Sequence, residues 1–243
     1  MEYDLRIHIR TYPRSGTHII GTLLHYRYGF CPNTPTMVKP IVKSFNEPLQ
    51  FMTFHYNEHL EGFPNKTPEI FVLRNPTDCI GSQYYRNADW NPRNLGGEEL
   101  NTIDVTGLDM EHFVSGEKPV SYTRPAFHVT TIWNECGKYN EMLTHIKDDN
   151  LVLYFEDLFT DPQVWFNDLD SYFKNKYDLD PINTEMTMKE IMDLTLEWYN
   201  KGHRALNTWG EFQQVQVKYL KNLINPYVNK FIDFSNVHMK RYE

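Results

Sequence analysis

Residues 5–17 read LRIHIRTYPRSGT, an alternating apolar and polar run that passes directly into a Pro-Arg-Ser-Gly-Thr turn, and HIIGTLLHYRY follows at helical spacing. A strand, a tight turn and a helix start in this order fix the local chain path. They also aim backbone N–H groups and the positive end of the helix dipole at one point, where an anion is favoured. Gly16 allows close approach of a ligand, Ser15 and Thr17 add hydroxyls, and Arg14 adds a fork of N–H donors. The expected ligand is a phosphate or a group of that shape. The competing reading is an ordinary strand-to-helix turn in which Thr17 serves as the N-cap.

Further strand-like runs are separated by helical ones. LQFMTFHY (49–56) has strand character, EIFVLRNP (69–76) is rich in β-formers, and NLVLYFEDLFTDP (150–162) is a strand leading into an acidic turn. A helix is expected from about Thr77, after Asn75 and Pro76 open a turn. A longer one is expected over 125–146, with Val129, Ile132, Trp133, Tyr139 and Met142 at apolar positions. Residues 164–199 read as helices interrupted at Pro181, and 213–243 as C-terminal helices broken at Pro226. The Pro-broken CPNTPTMVKP, the segment 89–123 and KGHRALNTWGEF (201–212) read as loops, with a short helix near 109–117. The pattern implies an α/β fold: a single domain over 1–243 with a central parallel β-sheet flanked by helices and ligands at the carboxyl ends of the strands.

Composition narrows the function classes. The chain has 243 residues and a formal net charge of −8, which disfavours wholesale binding to nucleic acid or an anionic membrane. Positive groups that hold an anion must then be concentrated locally. The three cysteines, Cys31, Cys79 and Cys136, are widely spaced and lack zinc-site patterns, so no metal is expected. With a strand expected from residue 5 and no run approaching a membrane span, the expectation is a cytoplasmic protein without a targeting segment.

A second Arg-bearing turn, LRNPTD, follows the third strand, and Ser82 lies eight residues beyond Arg74. Arg with a hydroxyl suits a second anionic group, so two such turns in one sheet point to a ligand with two separated anions. TYPRSGT, FVLRNPTDCIGSQYY and VLYFEDLFTDP, in this order, resemble the signature blocks of the cytosolic-type sulfotransferases, whose fold is P-loop NTPase-like and whose sulfuryl donor is 3′-phosphoadenosine 5′-phosphosulfate (PAPS). FMTFHYNEHL and MEHFVSGEKPVSY…FHVTTIWNE resemble weaker blocks of that family, and the order holds from residue 5 to about 212.

The resemblance implies a role for each matched residue. Arg14, Ser15, Gly16 and Thr17 would surround the 5′-phosphosulfate, with His18 standing where a second Thr is common. Arg74 and Ser82 would hold the 3′-phosphate, and Phe155, in place of the usual Tyr, would lie near the nucleotide. Lys201 and Arg204 match the family's late Arg-Lys-Gly block least well. His55 would be the general base, with His59, Glu58 and Glu47 as alternatives; Phe54 replaces the usual Thr, and the usual Pro after the His-Leu pair is absent. Imidazole titrates near working pH, and Arg14 would supply positive charge to the transferring group. No GxxxxGK[ST] occurs, which disfavours an ATP-dependent kinase.

The implied reaction is sulfuryl transfer from PAPS to a hydroxyl, or less often an amine, of a small-molecule acceptor, leaving adenosine 3′,5′-bisphosphate (PAP). Segment 89–123 would form the acceptor lid, with Trp90 and Tyr122 as aromatic walls. A non-catalytic nucleotide-binding protein of the same fold is the alternative from another class. The family's C-terminal dimer signature is not recognisable.

Overall fold

A computed structural model describes residues 5–12, 15–32, 49–55, 69–81, 132–202, 222 and 224–242; of residues 52–55 and 196–202 it describes the backbone alone. The chain packs as two compact units, Met1–Arg74 with His145–Thr208, and Asn75–Thr144 with Trp209–Glu243.

The first unit holds a parallel sheet. Its strands are β1 (Leu5–Thr11), β2 (Cys31–Pro32), β3 (Leu49–His55), β4 (Glu69–Leu73) and β5 (Leu151–Tyr154), in the order β2-β3-β1-β4-β5. β1 is central and pairs with β3 from Leu5↔Leu49 to Thr11↔His55, and with β4 from His8↔Glu69 to Thr11↔Val72. From β1 the chain moves first to β2 and β3 on one side and later to β4 and β5 on the other. The strand order therefore reverses at β1, and in open α/β sheets ligands bind beyond the carboxyl ends at that point.

Helix α1 (Thr17–Tyr28) returns from β1 across the sheet. Alternation along β1 directs Ile7 and Ile9 into a core with Ile20, Leu23 and Leu24 of α1, Phe51, Ile70, Val72 and Leu153. Helices α5 (Gln163–Tyr177) and α6 (Met188–Gly202) complete it with Trp165, Leu169, Phe173, Met188 and Ile191. The indole N–H of Trp165 donates to the carbonyl of Tyr154 at 2.8 Å, so this buried polar atom is satisfied. The expected fold class, a parallel sheet with helices, is the one observed.

The second unit contains helix α2 (residues 76–81), α3 (Ile132–Thr144) and α7 (residues 224–231). Its buried apolar residues include Cys79, Ile80, Ile132, Cys136, Tyr139, Met142, Ile224 and Val228. Thr77 Oγ1 donates to Asn225 Oδ1 at 3.0 Å, and Asn140 Nδ2 donates to the carbonyl of Phe231 at 2.7 Å.

Five expectations need correction. Cys31–Pro32 is a short edge strand rather than loop, because its backbone pairs with Gln50 and Phe51 despite the prolines beyond it. Trp133 is 61% exposed, since Ile132, Cys136, Tyr139 and Leu143 occupy the inward face of α3 and Trp133 lies one step round it. The 150–162 strand ends at Tyr154, and helix α4 (Asp157–Thr160) begins where the acidic turn was expected. Lys201 and Gly202 close α6 instead of opening a loop. Pro226 lies within α7 instead of breaking it; the φ of proline is itself helical, and only the preceding turn loses an N–H partner.

Candidate anion-binding site

The carboxyl end of β1 carries Tyr12, and the turn closes back on that residue. Ser15 is fully buried; its N–H and its hydroxyl both donate to the carbonyl of Tyr12, at 3.1 and 2.7 Å. The Ser15 proton is thus used to shape the turn.

Gly16, not Thr17, is the N-cap of α1, which corrects the structural reading of the turn. Gly16 adopts φ +97°, in the left-handed region, and makes no side-chain capping bond. Its carbonyl accepts from the N–H groups of Ile19 and Ile20 at 2.9 and 3.1 Å. Thr17 is the first helical residue and shares a hydrogen bond with the hydroxyl of Thr11 at 2.8 Å, tying the end of β1 to the start of α1. No acidic residue lies in the first turn of α1, while His25 and Arg27 stand in its last turn. The positive dipole end is therefore not offset by a carboxylate of the helix itself. His18 follows in the first turn and is half-buried.

β4 delivers Arg74 to the same region. The N–H of Phe155 donates to the carbonyl of Leu73 at 2.8 Å, which prolongs the β4–β5 ladder by one residue and sets Phe155 beside the end of β4. The guanidinium carbon of Arg74 lies over the Phe155 ring, 4.4 Å from its centroid, within cation–π range. The same ring meets the turn: a Cβ on Gly16 would stand 2.8 Å from Cδ2 and 3.2 Å from Cε2 of Phe155, and 3.8 Å from Cγ1 of Val72. Phe159, on α4, meets Phe155 edge-on at 5.4 Å and is 62% exposed.

The residues expected from sequence thus divide into three groups. Gly16, Arg74 and Phe155 are brought together, with Ser15 and Thr17 beside them in the turn. His55 ends β3, and its backbone stands opposite Thr11 in register; Lys201 lies in the last turn of α6; the side chains of both lie outside the described set. Arg14, Ser82, Trp90, Tyr122, Arg204 and the alternative bases Glu47, Glu58 and His59 lie outside the described residues altogether. Sequence reasoning missed Thr11, whose hydroxyl holds Thr17. The only signal was a Thr ending an otherwise buried strand. Among the described residues, no group of three or more His, Cys, Asp or Glu side chains is placed to hold a metal ion, and no helix is long and apolar enough to cross a membrane.

A buried polar cluster lies further back along β1 and β4. Arg10 Nε donates to Glu69 Oε1 at 2.6 Å, and His8 Nδ1 stands 3.9 Å from the same oxygen. Burial pulls the Glu69 carboxyl upward, but His8 and Arg10 outweigh it and hold the group below its ordinary value of 4.5.

No family model matches the chain, and no curated protein matches it. Among solved structures, mouse sulfotransferase SULT7A1 complexed with PAP is similar, with a TM-score of 0.51 at 16% sequence identity, covering 95% of this chain and 90% of that one. At this identity the likeness is one of fold, and the chain has a sulfotransferase-like α/β fold.

Proposed function

We propose that this chain is a PAPS-dependent sulfotransferase acting on a hydroxyl of a small-molecule acceptor. The observation that carries the reading is the meeting of Gly16, Phe155 and Arg74. Three sequence blocks far apart in the chain supply them, and together they pair a helix N-terminus with a nearby guanidinium at the sheet's switch point. The positive φ of Gly16 at the start of α1 suits a turn that wraps an anion with its backbone N–H groups, and Arg74 suits a second anion of the same ligand.

PAPS supplies an activated sulfuryl group. In this reading, the backbone N–H groups at the start of α1, with Thr17 and Arg14, hold the phosphosulfate end. Arg74 and Ser82 hold the 3′-phosphate. His55 removes the acceptor's proton as its oxygen bonds to sulfur, and Arg14 stabilises the charge left on the departing phosphate oxygen as the old S–O bond breaks. The atoms balance: the acceptor gains SO₃, His55 gains the proton, and PAP leaves. Lys201 and Arg204 would contribute positive charge to the nucleotide, and Trp90 and Tyr122 would line the acceptor side.

Thermal unfolding with PAP and with ATP provides the first test. A ligand that binds only the folded chain stabilises it by about 2.7 kcal/mol at a hundredfold excess over Kd. A rise in Tm with PAP that ATP does not match is expected, and equal or absent shifts overturn the reading. Transfer of labelled sulfate from PAPS across a panel of phenols, alcohols, sugars and cationic alkaloids then separates an enzyme from a silent nucleotide binder and identifies the acceptor class.

A further inference from the structure

Arg74 and Phe155 reach one another from different strands, and the ring of Phe155 also borders the Gly16 turn. A phenylalanine has no hydroxyl, so this side chain cannot hydrogen-bond a ligand. What remains is its shape and the negative face of its ring. The guanidinium lies over that face at 4.4 Å, while Cδ2 and Cε2 fill the space where a Cβ on Gly16 would stand. The backbone of Phe155 is itself fixed, by its N–H bond to Leu73 immediately before Arg74. The ring therefore acts as a spacer between the turn and the guanidinium.

We propose that Phe155 is a positioning residue that holds the Arg74 guanidinium, through its ring face, at the set distance from the Gly16 turn that a ligand with two separated anionic groups requires. The inference rests on the PAPS reading and deepens it: Phe155 acts on the 3′-phosphate through Arg74, and not by contact with that phosphate. A flexible arginine loses rotamer freedom whenever it binds, and a ring that already orders it removes part of that cost. Phe155 would thus tell a nucleotide with a 3′-phosphate from one without.

Calorimetric titration with PAP and with AMP, which lacks the 3′-phosphate, tests this in the wild type, Phe155→Leu, Phe155→Met, Phe155→Tyr and Arg74→Ala. Loss of the ring face in Phe155→Leu or Phe155→Met is expected to lower PAP affinity about threefold to tenfold. AMP affinity should change less than about twofold, because only the 3′-phosphate contact depends on Arg74. Phe155→Tyr, which keeps the ring, should preserve the PAP-to-AMP ratio. In the Arg74→Ala background, Phe155→Leu should cost PAP nothing further. Equal losses for PAP and AMP in Phe155→Leu and Phe155→Met would make Phe155 a structural or base-contacting residue, and an unchanged PAP affinity in both would remove its role; either result overturns the proposal alone. A wild-type chain that binds neither nucleotide overturns the PAPS reading, and this one with it.

Discussion

A single methyl group on Gly16 would stand 2.8 Å from Cδ2 of Phe155, closer than a real Cβ approaches a ring carbon. Gly16 also adopts φ +97°, so Gly16→Ala would meet two separate costs. The left-handed backbone costs an L-residue about 1–2 kcal/mol, and displacing a packed ring costs about 1–3 kcal/mol more. Urea unfolding of Gly16→Ala should show a loss of about 2–5 kcal/mol. Combining it with Phe155→Leu should recover the steric part and leave the backbone part. No recovery would mean that backbone conformation alone makes the residue a glycine.

The hydroxyls of Thr11 and Thr17 lie 2.8 Å apart, and both side chains are buried. Thr11→Val keeps the shape and removes one partner. It should destabilise the chain by about 1–2 kcal/mol, as expected for a buried hydroxyl deprived of its bond. If Thr17 is held for a ligand, PAP affinity should fall as well. A stability loss with unchanged PAP affinity would restrict the pair to joining β1 with α1.

His55 closes β3 opposite Thr11, at the carboxyl end of the sheet where the turn begins. For His55→Ala the expected outcome is turnover reduced by about 10²–10⁴-fold, the range of a positioned general base, with PAP affinity retained. Single-turnover kinetics and PAP titration separate the two. Near-normal turnover would hand the role to His59, Glu58 or Glu47. For Arg74→Ala the affinity for PAP should fall, and turnover at saturating PAPS should fall less.

How much of this was legible depended on the range of the interaction. The strand-turn-helix from Leu5 to Tyr28 was readable because alternation and helical spacing are local, and Asn75-Pro76 announced α2 for the same reason: Asn75 Oδ1 accepts from the N–H of Thr77 at 3.0 Å. Two-residue β2 has no pattern to read, and its pairing with β3 alone defines it. Gly16, with φ +97°, is the N-cap in place of Thr17, and Phe155, remote in sequence, occupies the space a side chain there would need. The blocks bearing Arg74 and Phe155 were each visible, but the contact between them was not, since nothing in either block records the other's position.

The clasp at the far end of α1 is of this long-range kind. Arg27 is 4% exposed, and its Nε and Nη2 donate to the two carboxylate oxygens of Asp170 at 3.1 and 2.6 Å; the Tyr28 hydroxyl donates to Asp170 as well. Arg27 Nη1 also donates to the carbonyl of Asn183, so α1, α5 and the chain beyond α5 meet on one guanidinium. Asp170→Ala would leave that buried charge without its carboxylate. Because the Asp170 side chain is 34% exposed, the expected loss is about 2–4 kcal/mol, below that of a fully buried pair. Denaturant unfolding checks it, with Asp170→Asn expected to retain part of the bonding.

Glu69 makes stability depend on acid. Its folded carboxyl sits below 4.5, where burial is outweighed by His8 and Arg10. A carboxyl depressed on folding contributes stability above its unfolded value, and that contribution is lost as pH falls through the folded value. At neutral pH, Glu69→Gln should cost about 1–3 kcal/mol, because Arg10 is left buried beside a neutral amide. The gap between wild type and Glu69→Gln should then shrink as pH falls below about 4.5, where the unfolded carboxyl takes up a proton first, and close once the folded carboxyl is protonated too and the pair is lost in both chains. Urea midpoints of the two proteins from pH 7 to pH 3 measure it. A gap that stays constant across that range would mean that the Arg10–Glu69 contact at 2.6 Å contributes through packing and not through charge.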